Sequence, residues 1–249
     1  MKVNVPPLAD KTIEMLREVS TATITTQLLK KAGMRTRHVT GAVPLDPATC
    51  RFVGLAYTMR FVPFREDMEV WNSLEDEQTA MYRAIETIPA GSALIVDTQG
   101  IISGGVIGDI LCSRILARGA VALVVDGAMR DTGPLRRMSL PVFCRAVTAP
   151  PTANGLMAAA VQEVIGCGGV ATFPGDVVVG DEDGVVVIPR HLADAVAEAG
   201  LEQERLEAWV KQKIDAGAVV PGLYPPNAKT KAEYERWVAA GRPRVSDSP

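Results

Sequence analysis

The chain has 249 residues, of which 47% are hydrophobic, and its formal net charge is −3. This apolar content is enough for a substantial core, whereas the slightly acidic balance excludes the overall positive field that attracts nucleic acid. No apolar stretch reaches the roughly 20 residues that span a bilayer, and charged residues interrupt the start of the chain, where a signal peptide needs an apolar run. We therefore expect a cytoplasmic protein without a nucleic-acid or membrane partner.

The cysteines and histidines are isolated in the sequence. No two cysteines form a CxxC pair and the histidines show no metal-ligand spacing, so neither a zinc site nor a Ser-His-Asp triad is indicated. We expect reduced, buried cysteines and histidines in surface or capping roles. These residues are Cys50, Cys112, Cys144, Cys167, His38 and His191.

The N-terminal third is predicted to be helical and then extended. Residues 7–19 form a first helix, and Ser20 or Thr21 caps a second helix that ends at Gly33. An alternating, β-rich segment over 52–62 predicts a strand, and helical periodicity over 74–88 predicts a third helix.

The central section alternates strands and helices. Strands are predicted over 93–97, 121–125 and 141–145, and helices over 109–118 and 131–138. This rhythm is typical of a largely parallel, buried sheet with right-handed crossovers.

The pattern changes after Pro150. Segments 176–179 and 185–188 flank an acidic turn over 180–184, which predicts a β-hairpin with a solvated tip; the twelve-residue calcium-loop pattern is absent. A long charged helix over 190–216, an extended proline-rich tail over 219–227 and a last helix over 229–239 follow. We divide the chain into a domain over 1–216 and an extension over 217–249.

A glycine-rich turn precedes the helix predicted over 109–118. Gly104, Gly105 and Gly108 allow backbone conformations that other residues avoid, and they stand directly before the helix. The free N–H groups of residues 108–111 then favour an anion, either a carboxylate or a phosphate. The alternative is a tight turn without a ligand.

Arg130 and Asp131 follow the apolar run 121–129, at the strand end where a parallel sheet places its ligands. Arg130 can bind a carboxylate through two parallel hydrogen bonds; the alternative is a salt bridge to Asp131, Glu66 or Asp67. Asp131 can ligate Mg²⁺ or Mn²⁺, or instead cap the following helix.

Asp109 is a second carboxylate at the glycine turn. It can position a metal-bound water or move a proton, or it can simply be a first-turn acid that the helix dipole favours. A charged cluster that follows a strand can contribute, from another chain, to the same site as the glycine turn, Arg130 and Asp131. Its members are Arg60, Arg65, Glu66 and Asp67.

A dinucleotide site is the competing interpretation of this unit, with Asp126 as the acid that follows the glycine turn. The turn reads GGxxGD, however, and an acid directly after the last glycine would repel a pyrophosphate. This interpretation is therefore disfavoured.

Three segments in order resemble the RraA-like family: GGVIGDIL at 104–111, VVDGAMRD at 124–131 and PGDVVVGDEDGVVVIP at 174–189. The family includes 4-hydroxy-4-methyl-2-oxoglutarate and 4-carboxy-4-hydroxy-2-oxoadipate aldolases and the regulator of ribonuclease activity A. The resemblance covers about residues 15–200. It implies a layered α/β/β/α swivelling-domain fold, to which this chain adds a C-terminal helical extension. It also implies a homotrimer or a dimer of trimers with sites between subunits.

The resemblance also implies roles for individual residues. Backbone amides of the turn bind a pyruvyl carboxylate, the arginine binds substrate, one aspartate holds Mg²⁺ or Mn²⁺ and the other orders waters near the metal. A glutamate of the adjacent subunit contributes too, with Glu202, Glu204 and Glu207 as candidates. The turn corresponds to Gly108, Asp109, Ile110 and Leu111. The substrate-binding arginine is Arg130, the metal-binding aspartate is Asp131, and the aspartate that orders waters is Asp109.

The implied function is a divalent-metal-dependent 2-oxo acid lyase. It would cleave 4-hydroxy-2-oxo acids to pyruvate, decarboxylate oxaloacetate, or both, through a stabilised enolate. Two alternatives stay open: a non-enzymatic binding protein like the ribonuclease regulator, and a metal-dependent dehydratase of a sugar-derived 2-oxo acid. The segment 65–69 and the C-terminal extension favour a subgroup with another substrate.

Overall fold

The computed structural model describes residues 7–67 and 79–242 and has a mixed α/β architecture. The strands are β1 (Val43–Pro44), β2 (Phe52–Pro63), β3 (Ser92–Asp97), β4 (Ala122–Met129), β5 (Val142–Val147), β6 (Leu156–Val161), β7 (Val177–Asp181) and β8 (Gly184–Ile188). They form one sheet in the order β1-β5-β4-β3-β2-β7-β8, and β6 pairs with β2 beside this path.

The helices alternate with the strands in the centre and cluster at both ends of the chain. None of the helices in the described ranges is both long and apolar enough to cross a membrane. They are α1 (Asp10–Glu18), α2 (Thr21–Ala32), α3 (Ala80–Thr87), α4 (Asp109–Ala117), α5 (Thr132–Leu135), α6 (Ala193–Asp215) and α7 (Ala228–Ala239).

The centre of the sheet is parallel, as predicted, but its flanks are not. The pairs β2–β3, β3–β4 and β4–β5 are parallel. The strands β1, β6, β7 and β8 all pair antiparallel. The largely parallel pairing predicted for the central section is confirmed, and the predicted hairpin over 176–188 is antiparallel. The antiparallel pairs β1–β5, β2–β6 and β2–β7 join segments that are far apart in the sequence, and no local pattern predicts them.

The two ends of the sheet approach each other. Just before β1, the N–H of Val39 donates to Val185 O at 2.8 Å, and the N–H of Val187 donates to Arg37 O at 2.9 Å. The same segment therefore borders β8, while β1 borders β5 at the other end of the strand order. The sheet is nearly closed and has an interior.

Three apolar clusters fill the layers that this closure creates. One lies between the sheet and α3 to α5, with Leu94 and Leu123 among its members. The second fills the interior of the sheet, around Ile95 and Phe143. The third joins α1, α2 and α6 to the β7–β8 hairpin. Alternate residues of one strand, such as Leu94 and Ile95, thus face different layers, and the predicted α/β/β/α layering is confirmed.

Most element predictions are confirmed, with shifted ends. Ser20 Oγ accepts a hydrogen bond from the N–H of Thr23, and Gly33 ends α2 with φ of +66°. The predicted helix over 74–88 is observed as α3 from Ala80, and its first residues lie outside the described ones. The strand predicted over 121–125 continues as β4 to Met129.

The acidic hairpin tip is not the solvated turn that the sequence predicts. Only Glu182 and Asp183 form the turn, and Asp181 is the last residue of β7 with 3% of its surface exposed. Its carboxylate accepts hydrogen bonds from the N–H and Oγ1 of Thr21, both at 2.7 Å, and from the N–H of Asp183 at 3.0 Å. A side chain that looks exposed in sequence therefore anchors the start of α2 to the sheet.

Replacing Asp181 with alanine is expected to destabilise the fold by about 2–3 kcal/mol, because charge-assisted hydrogen bonds are lost and buried donors are left without a partner. For a chain of this length the midpoint of thermal unfolding should fall by about 5–10 °C. Thermal denaturation checks this. Glu182→Ala, at an exposed position of the same turn, is the control and should shift the midpoint by less than about 2 °C.

The C-terminal segment folds back on α6. Residues 219–227 form successive turns rather than the predicted extended tail, since the N–H of Leu223 donates to Val220 O and that of Asn227 donates to Gly222 O. The helix α7 then packs on the second half of α6 through an aromatic cluster of Trp209, Tyr234 and Trp237. The division between 1–216 and 217–249 stays a prediction.

Candidate active site

The glycine turn lies against the end of β4. The N–H of Val106 donates to Ala128 O and that of Gly105 donates to Pro150 O, both at 2.9 Å. Because β4 ends at Met129, the next two residues of the chain stand beside this turn. The β–α–β connection thus joins the two sequence motifs in space, as the order of elements predicts.

A cavity of about 400 Å³ opens at this point, a size typical of small-molecule sites. The predicted turn residues, Arg130 and Asp131 all line it, and so do side chains of α3, β2 and β6. The predicted lining residues are Gly108, Asp109, Ile110, Leu111, Arg130 and Asp131.

Two glycines leave room for the charged side chains. A Cβ at Gly105 would lie 2.8 Å from Arg130 Cβ, and a Cβ at Gly108 would lie 2.3 Å from Asp131 Oδ2. The φ of Gly108 is −103°, an angle that any residue adopts. At this position small size, rather than conformational freedom, is the requirement.

Thr152 holds the turn from the other side. Its Oγ1 lies 2.8 Å from both Gly105 O and Val106 O, between which its single hydroxyl proton is shared. The sequence analysis missed this residue, because its contact joins segments 46 positions apart and no local pattern marks it.

The N-terminus of α4 faces the cavity with backbone N–H groups that have no acceptor among the described residues. The N–H groups of Asp109 and Leu111 donate to no residue within the described ranges. The N–H of Ile110, by contrast, donates to Asp109 Oδ1 at 2.8 Å. The N–H of Gly108 likewise donates to no described residue, so three of the four predicted carboxylate-binding amides are open, and an anion at Ile110 would have to displace the aspartate.

Arg130 forms the salt bridge to Asp131 that is the alternative to ligand binding, but without a well-aligned hydrogen bond. Its Nε is 3.3 Å from Asp131 Oδ2, yet this nitrogen is buried and has no hydrogen-bond partner in the described part of the chain. The alternative partner Asp67 is engaged by Arg65 at 2.8 and 2.6 Å. Since both side chains of the Arg130–Asp131 pair are more than one third exposed, their mutual attraction is weak, and the guanidinium can turn to a ligand.

Asp131 occupies an uncommon backbone conformation. Its φ and ψ are 57° and 39°, the left-handed region, and it precedes α5 without accepting a capping hydrogen bond. The alternative role of Asp131 as a helix cap is therefore not observed. A non-glycine residue here costs about 1–3 kcal/mol, which is typical of functional positions.

A cysteine lies beneath these carboxylates. Burial, together with the negative charges of Asp109 and Asp131, raises the pKa of Cys112 to about 12. The thiol therefore stays protonated at neutral pH and cannot serve as a nucleophile.

The donor set suits a hard cation that keeps water ligands. Across residues 7–67 and 79–242, no three His, Cys, Asp or Glu side chains gather into a metal-binding group. Mg²⁺, however, is commonly bound by one or two carboxylates, waters and substrate oxygens. Asp131, with Asp109 nearby, fits an ion of this kind and does not fit a structural zinc site.

The other candidate residues lie elsewhere. Arg60 pairs with Glu163 at 3.4 Å and does not line the cavity. Asp126 is buried and accepts hydrogen bonds from the N–H and Oγ1 of Thr98 and from the N–H of Gly168. It cannot reach a ribose, so the dinucleotide interpretation loses its acidic residue.

The three glutamates of α6 all have partners in their own chain. Glu204 accepts hydrogen bonds from the N–H and Oγ of Ser20, at 3.0 and 2.7 Å. Glu202 accepts from the hydroxyl of Tyr234, and Glu207 from Gln203 Nε2. None of the three lines the cavity of its own chain. A contribution to a neighbouring subunit stays a prediction.

Known sequences similar to this chain include two curated proteins. Protein DlpA of Legionella pneumophila is 28% identical over 200 residues, or 79% of this chain. A protein of Halalkalibacterium halodurans, provisionally named a 4-hydroxy-4-methyl-2-oxoglutarate aldolase, is 31% identical over 129 residues, or 51% of this chain. The matched regions span 30% of the first protein's length and 60% of the second's.

Solved structures show the same fold. RraAS2 of Streptomyces coelicolor is described as an unusual member of the RNase ES inhibitor RraA protein family. It superposes with a TM-score of 0.74 at 29% identity, covering 83% of this chain and 98% of RraAS2. An uncharacterized protein from Pseudomonas syringae superposes with a TM-score of 0.75 at 26% identity, covering 88% and 99% of the two chains.

The family model described as "RraA-like: Aldolase/RraA" matches residues 9–187, which include the glycine turn, Arg130 and Asp131, the cavity and all but the last residue of the β7–β8 hairpin. With more than half of its length matched, this chain belongs to the RraA-like family.

Proposed function

We propose that this chain is a divalent-metal-dependent 2-oxo acid lyase that cleaves 4-hydroxy-2-oxo acids to pyruvate, decarboxylates oxaloacetate, or does both. One observation carries the proposal: three features lie in the same cavity. They are the open N–H donors at the start of α4, the Nε of Arg130, which has no hydrogen-bond partner among the described residues, and Asp131, whose side chain caps no helix. The relative provisionally named as an aldolase supports the same chemistry.

The N-terminus of α4 would bind the carboxylate of the substrate. The open N–H groups of Asp109 and Leu111 point to an anion, and the helix dipole adds a favourable partial charge. This contact places the adjacent keto group toward Arg130 and Asp131. Asp131 would hold Mg²⁺ or Mn²⁺, which supplies Lewis-acid polarisation of a keto oxygen when bound.

Arg130 and Asp109 would serve the cleavage itself. When the C3–C4 bond breaks, the hydroxyl at C4 loses its proton, C4 becomes a carbonyl carbon and negative charge moves onto the pyruvyl fragment. The guanidinium of Arg130 stabilises this charge, and a proton at C3 then gives pyruvate. Asp109 orders the water that takes the hydroxyl proton. Loss of CO₂ from oxaloacetate leaves the same fragment.

Pyruvate release from oxaloacetate and from 4-hydroxy-4-methyl-2-oxoglutarate tests the proposal, with Mg²⁺, Mn²⁺ or EDTA present. Metal-dependent release that EDTA removes is the expected result. A protein that binds metal but releases nothing from either compound would act on a different 2-oxo acid. A protein that neither binds metal nor releases pyruvate would contradict the proposal.

Gly108→Ala provides a test in which the fold stays intact. The added Cβ would lie 2.3 Å from Asp131 Oδ2, and this carboxylate is the free end of a side chain that can move aside. We expect the variant to unfold within about 2 °C of wild type, while turnover falls about 10²-fold because displacement of a ligand by about 1 Å is costly in catalysis. Thermal denaturation and kcat/KM check both halves. Gly133→Ala, where an added Cβ meets nothing, is the control, and equal turnover in both variants would contradict the assigned role of Asp131.

A second candidate function is binding without catalysis. The observation in its favour is the 29% identity to RraAS2, which is described within an RNase ES inhibitor family. A pull-down with a ribonuclease discriminates the two candidates. Retention of the ribonuclease by a catalytically silent protein would favour binding, and metal-dependent turnover without retention would favour the lyase.

A further inference from the structure

A buried aspartate connects the two parts of the chain that form the candidate site. Asp126 belongs to β4, the strand that leads to Arg130 and Asp131, and 2% of its surface is exposed. Its Oδ1 accepts hydrogen bonds from the N–H of Thr98 at 2.6 Å and from the Thr98 hydroxyl at 2.8 Å. Thr98 directly follows β3 and begins the loop that ends in the glycine turn. One carboxylate therefore ties the strand of the first motif to the loop of the second.

Both partners of this contact are buried and lie behind the site. Oδ2 of Asp126 accepts a hydrogen bond from the N–H of Gly168 at 3.0 Å, so both carboxylate oxygens are engaged. Hydrogen bonds to a carboxylate are short and strong, which fixes the position of the donors. Thr98 is fully buried, and neither Thr98 nor Asp126 lines the cavity. Any effect of this pair on a ligand must therefore act through the backbone that it holds.

Asp126 also lies in a β-bulge directly before the site. Three residue steps along β4, from Val125 to Ala128, match two steps along β5 in the register of the two strands. The backbone oxygen of Asp126 accepts a hydrogen bond from Nε of Arg145 at 2.8 Å, which anchors the bulge to β5. Bulges next to active sites commonly redirect the residues that follow them, and here those residues include the Arg-Asp motif.

The bulge and the loop are packed against each other without spare room. A Cβ at Gly127 would lie 2.3 Å from Thr98 Oγ1, so a glycine is required for this approach. At the next residue, Ala128 O accepts a hydrogen bond from the N–H of Val106 in the glycine turn at 2.9 Å. The strand thus contacts the loop at three successive residues. A displacement of the loop at Thr98 shifts the glycine turn relative to the end of β4.

We infer that Asp126 and Thr98 are positioning residues that set the separation between the N-terminus of α4 and the Arg130–Asp131 pair. The inference rests on the proposed function for the ligand, a 2-oxo acid whose carboxylate lies at the helix and whose keto group lies toward the pair. Such a ligand needs both parts at the right separation, whereas a metal ion alone needs only Asp131. Since a misplacement of 1 Å costs about 10²-fold in catalysis, half that displacement should cost about 10-fold.

Thr98→Val and Thr98→Ser form a matched pair of variants. Valine keeps the shape of threonine but places a methyl group where the hydroxyl lies 2.8 Å from Asp126 Oδ1. Close carbon–oxygen contacts are about 3.3–3.6 Å, so the loop must move by about 0.5 Å or more. Serine keeps the hydroxyl and removes only a methyl group, so it should restore the separation.

Pyruvate binding with saturating Mn²⁺, measured by calorimetry, tests the separation without turnover. Thr98→Val should weaken pyruvate binding and lower kcat/KM for pyruvate release, each at least about 10-fold. Thr98→Ser should stay within about threefold of wild type in both measurements. The affinity for Mn²⁺ alone should change less than about twofold in either variant, because the end of β4 stays in place.

Loss of stability is separated from loss of position by Asp181→Ala. Both Thr98 variants should unfold less than about 5 °C below wild type. Asp181→Ala is expected to lose more stability, but Asp181 does not line the cavity and contacts Thr21 instead. Well below its unfolding midpoint, it should therefore bind pyruvate as wild type does. A loss of pyruvate affinity in Asp181→Ala equal to that in Thr98→Val would overturn the inference.

The same measurements distinguish a failure of this inference from a failure of the proposed function. Pyruvate release by wild type, with Thr98→Val equal to Thr98→Ser in binding and turnover, retains the lyase and overturns the positioning role. Pyruvate binding by a catalytically silent wild type, weakened at least about 10-fold in Thr98→Val alone, rejects the lyase and retains the positioning role. A wild type that neither binds nor releases pyruvate overturns both.

Discussion

Replacing Arg130 with alanine is expected to abolish measurable pyruvate release, a loss of about 10³-fold in kcat/KM, while the protein stays folded. Removal of one donor to a developing negative charge typically costs 10²- to 10³-fold, and here the lost group is also the one cation among the described lining residues. The cost to the fold is small because the guanidinium makes no hydrogen bond to any described residue. Steady-state kinetics and thermal denaturation measure the two effects.

Arg114→Ala is the matched control for this variant. Arg114 belongs to α4, is about half exposed and pairs with Glu86 on the surface, away from the cavity. Its removal should change turnover less than twofold, since exposed ion pairs contribute little. A soluble Arg130→Ala protein with wild-type activity would remove the basis of the assignment.

Asp131→Asn is expected to lose both metal binding and turnover, the latter by about 10³-fold. Asparagine adopts the left-handed conformation about as readily as aspartate, so φ of 57° is kept while the charged ligand for a hard cation is removed. Titration with Mn²⁺ by calorimetry measures the first loss, and pyruvate release measures the second.

Asp131→Gly separates backbone strain from ligand chemistry at the same position. Glycine adopts positive φ without steric cost, so this variant should unfold no earlier than wild type and still bind no metal. Mn²⁺ affinity equal to that of wild type in either variant would show that the metal lies elsewhere, and the mechanism given for Asp131 would then be wrong.

The parts of the site that sequence predicts are those with local signals. Two local patterns give the positions of the site residues within a β–α–β unit: a glycine turn before a helix, and Arg-Asp directly after an apolar strand. The topology of this unit then brings the two motifs together. The structure accordingly places Gly108, Asp109, Arg130 and Asp131 around one cavity. Their chemical roles stay predictions.

The parts that sequence does not predict depend on distant partners. The strand β6 (LMAAAV) has little β-branched character, and its pairing with the far half of β2 defines it. The buried state of Asp181 depends on Thr21, 160 positions away. The hydrogen bond from the N–H of Ile110 to Asp109 Oδ1 depends on a side-chain rotamer that no sequence pattern encodes.

The most direct test of the central claim is pyruvate release measured three times on one preparation. The measurements are made before EDTA treatment, after EDTA treatment and after Mn²⁺ is added back. Both 4-hydroxy-4-methyl-2-oxoglutarate and its monocarboxylic analogue 4-hydroxy-4-methyl-2-oxopentanoate should be tested, so that the choice of substrate does not decide the outcome. The account predicts release that EDTA removes and Mn²⁺ restores, with no restoration in Asp131→Asn. Release that is unchanged by EDTA, or restored equally in Asp131→Asn, would contradict a metal-dependent lyase at this cavity.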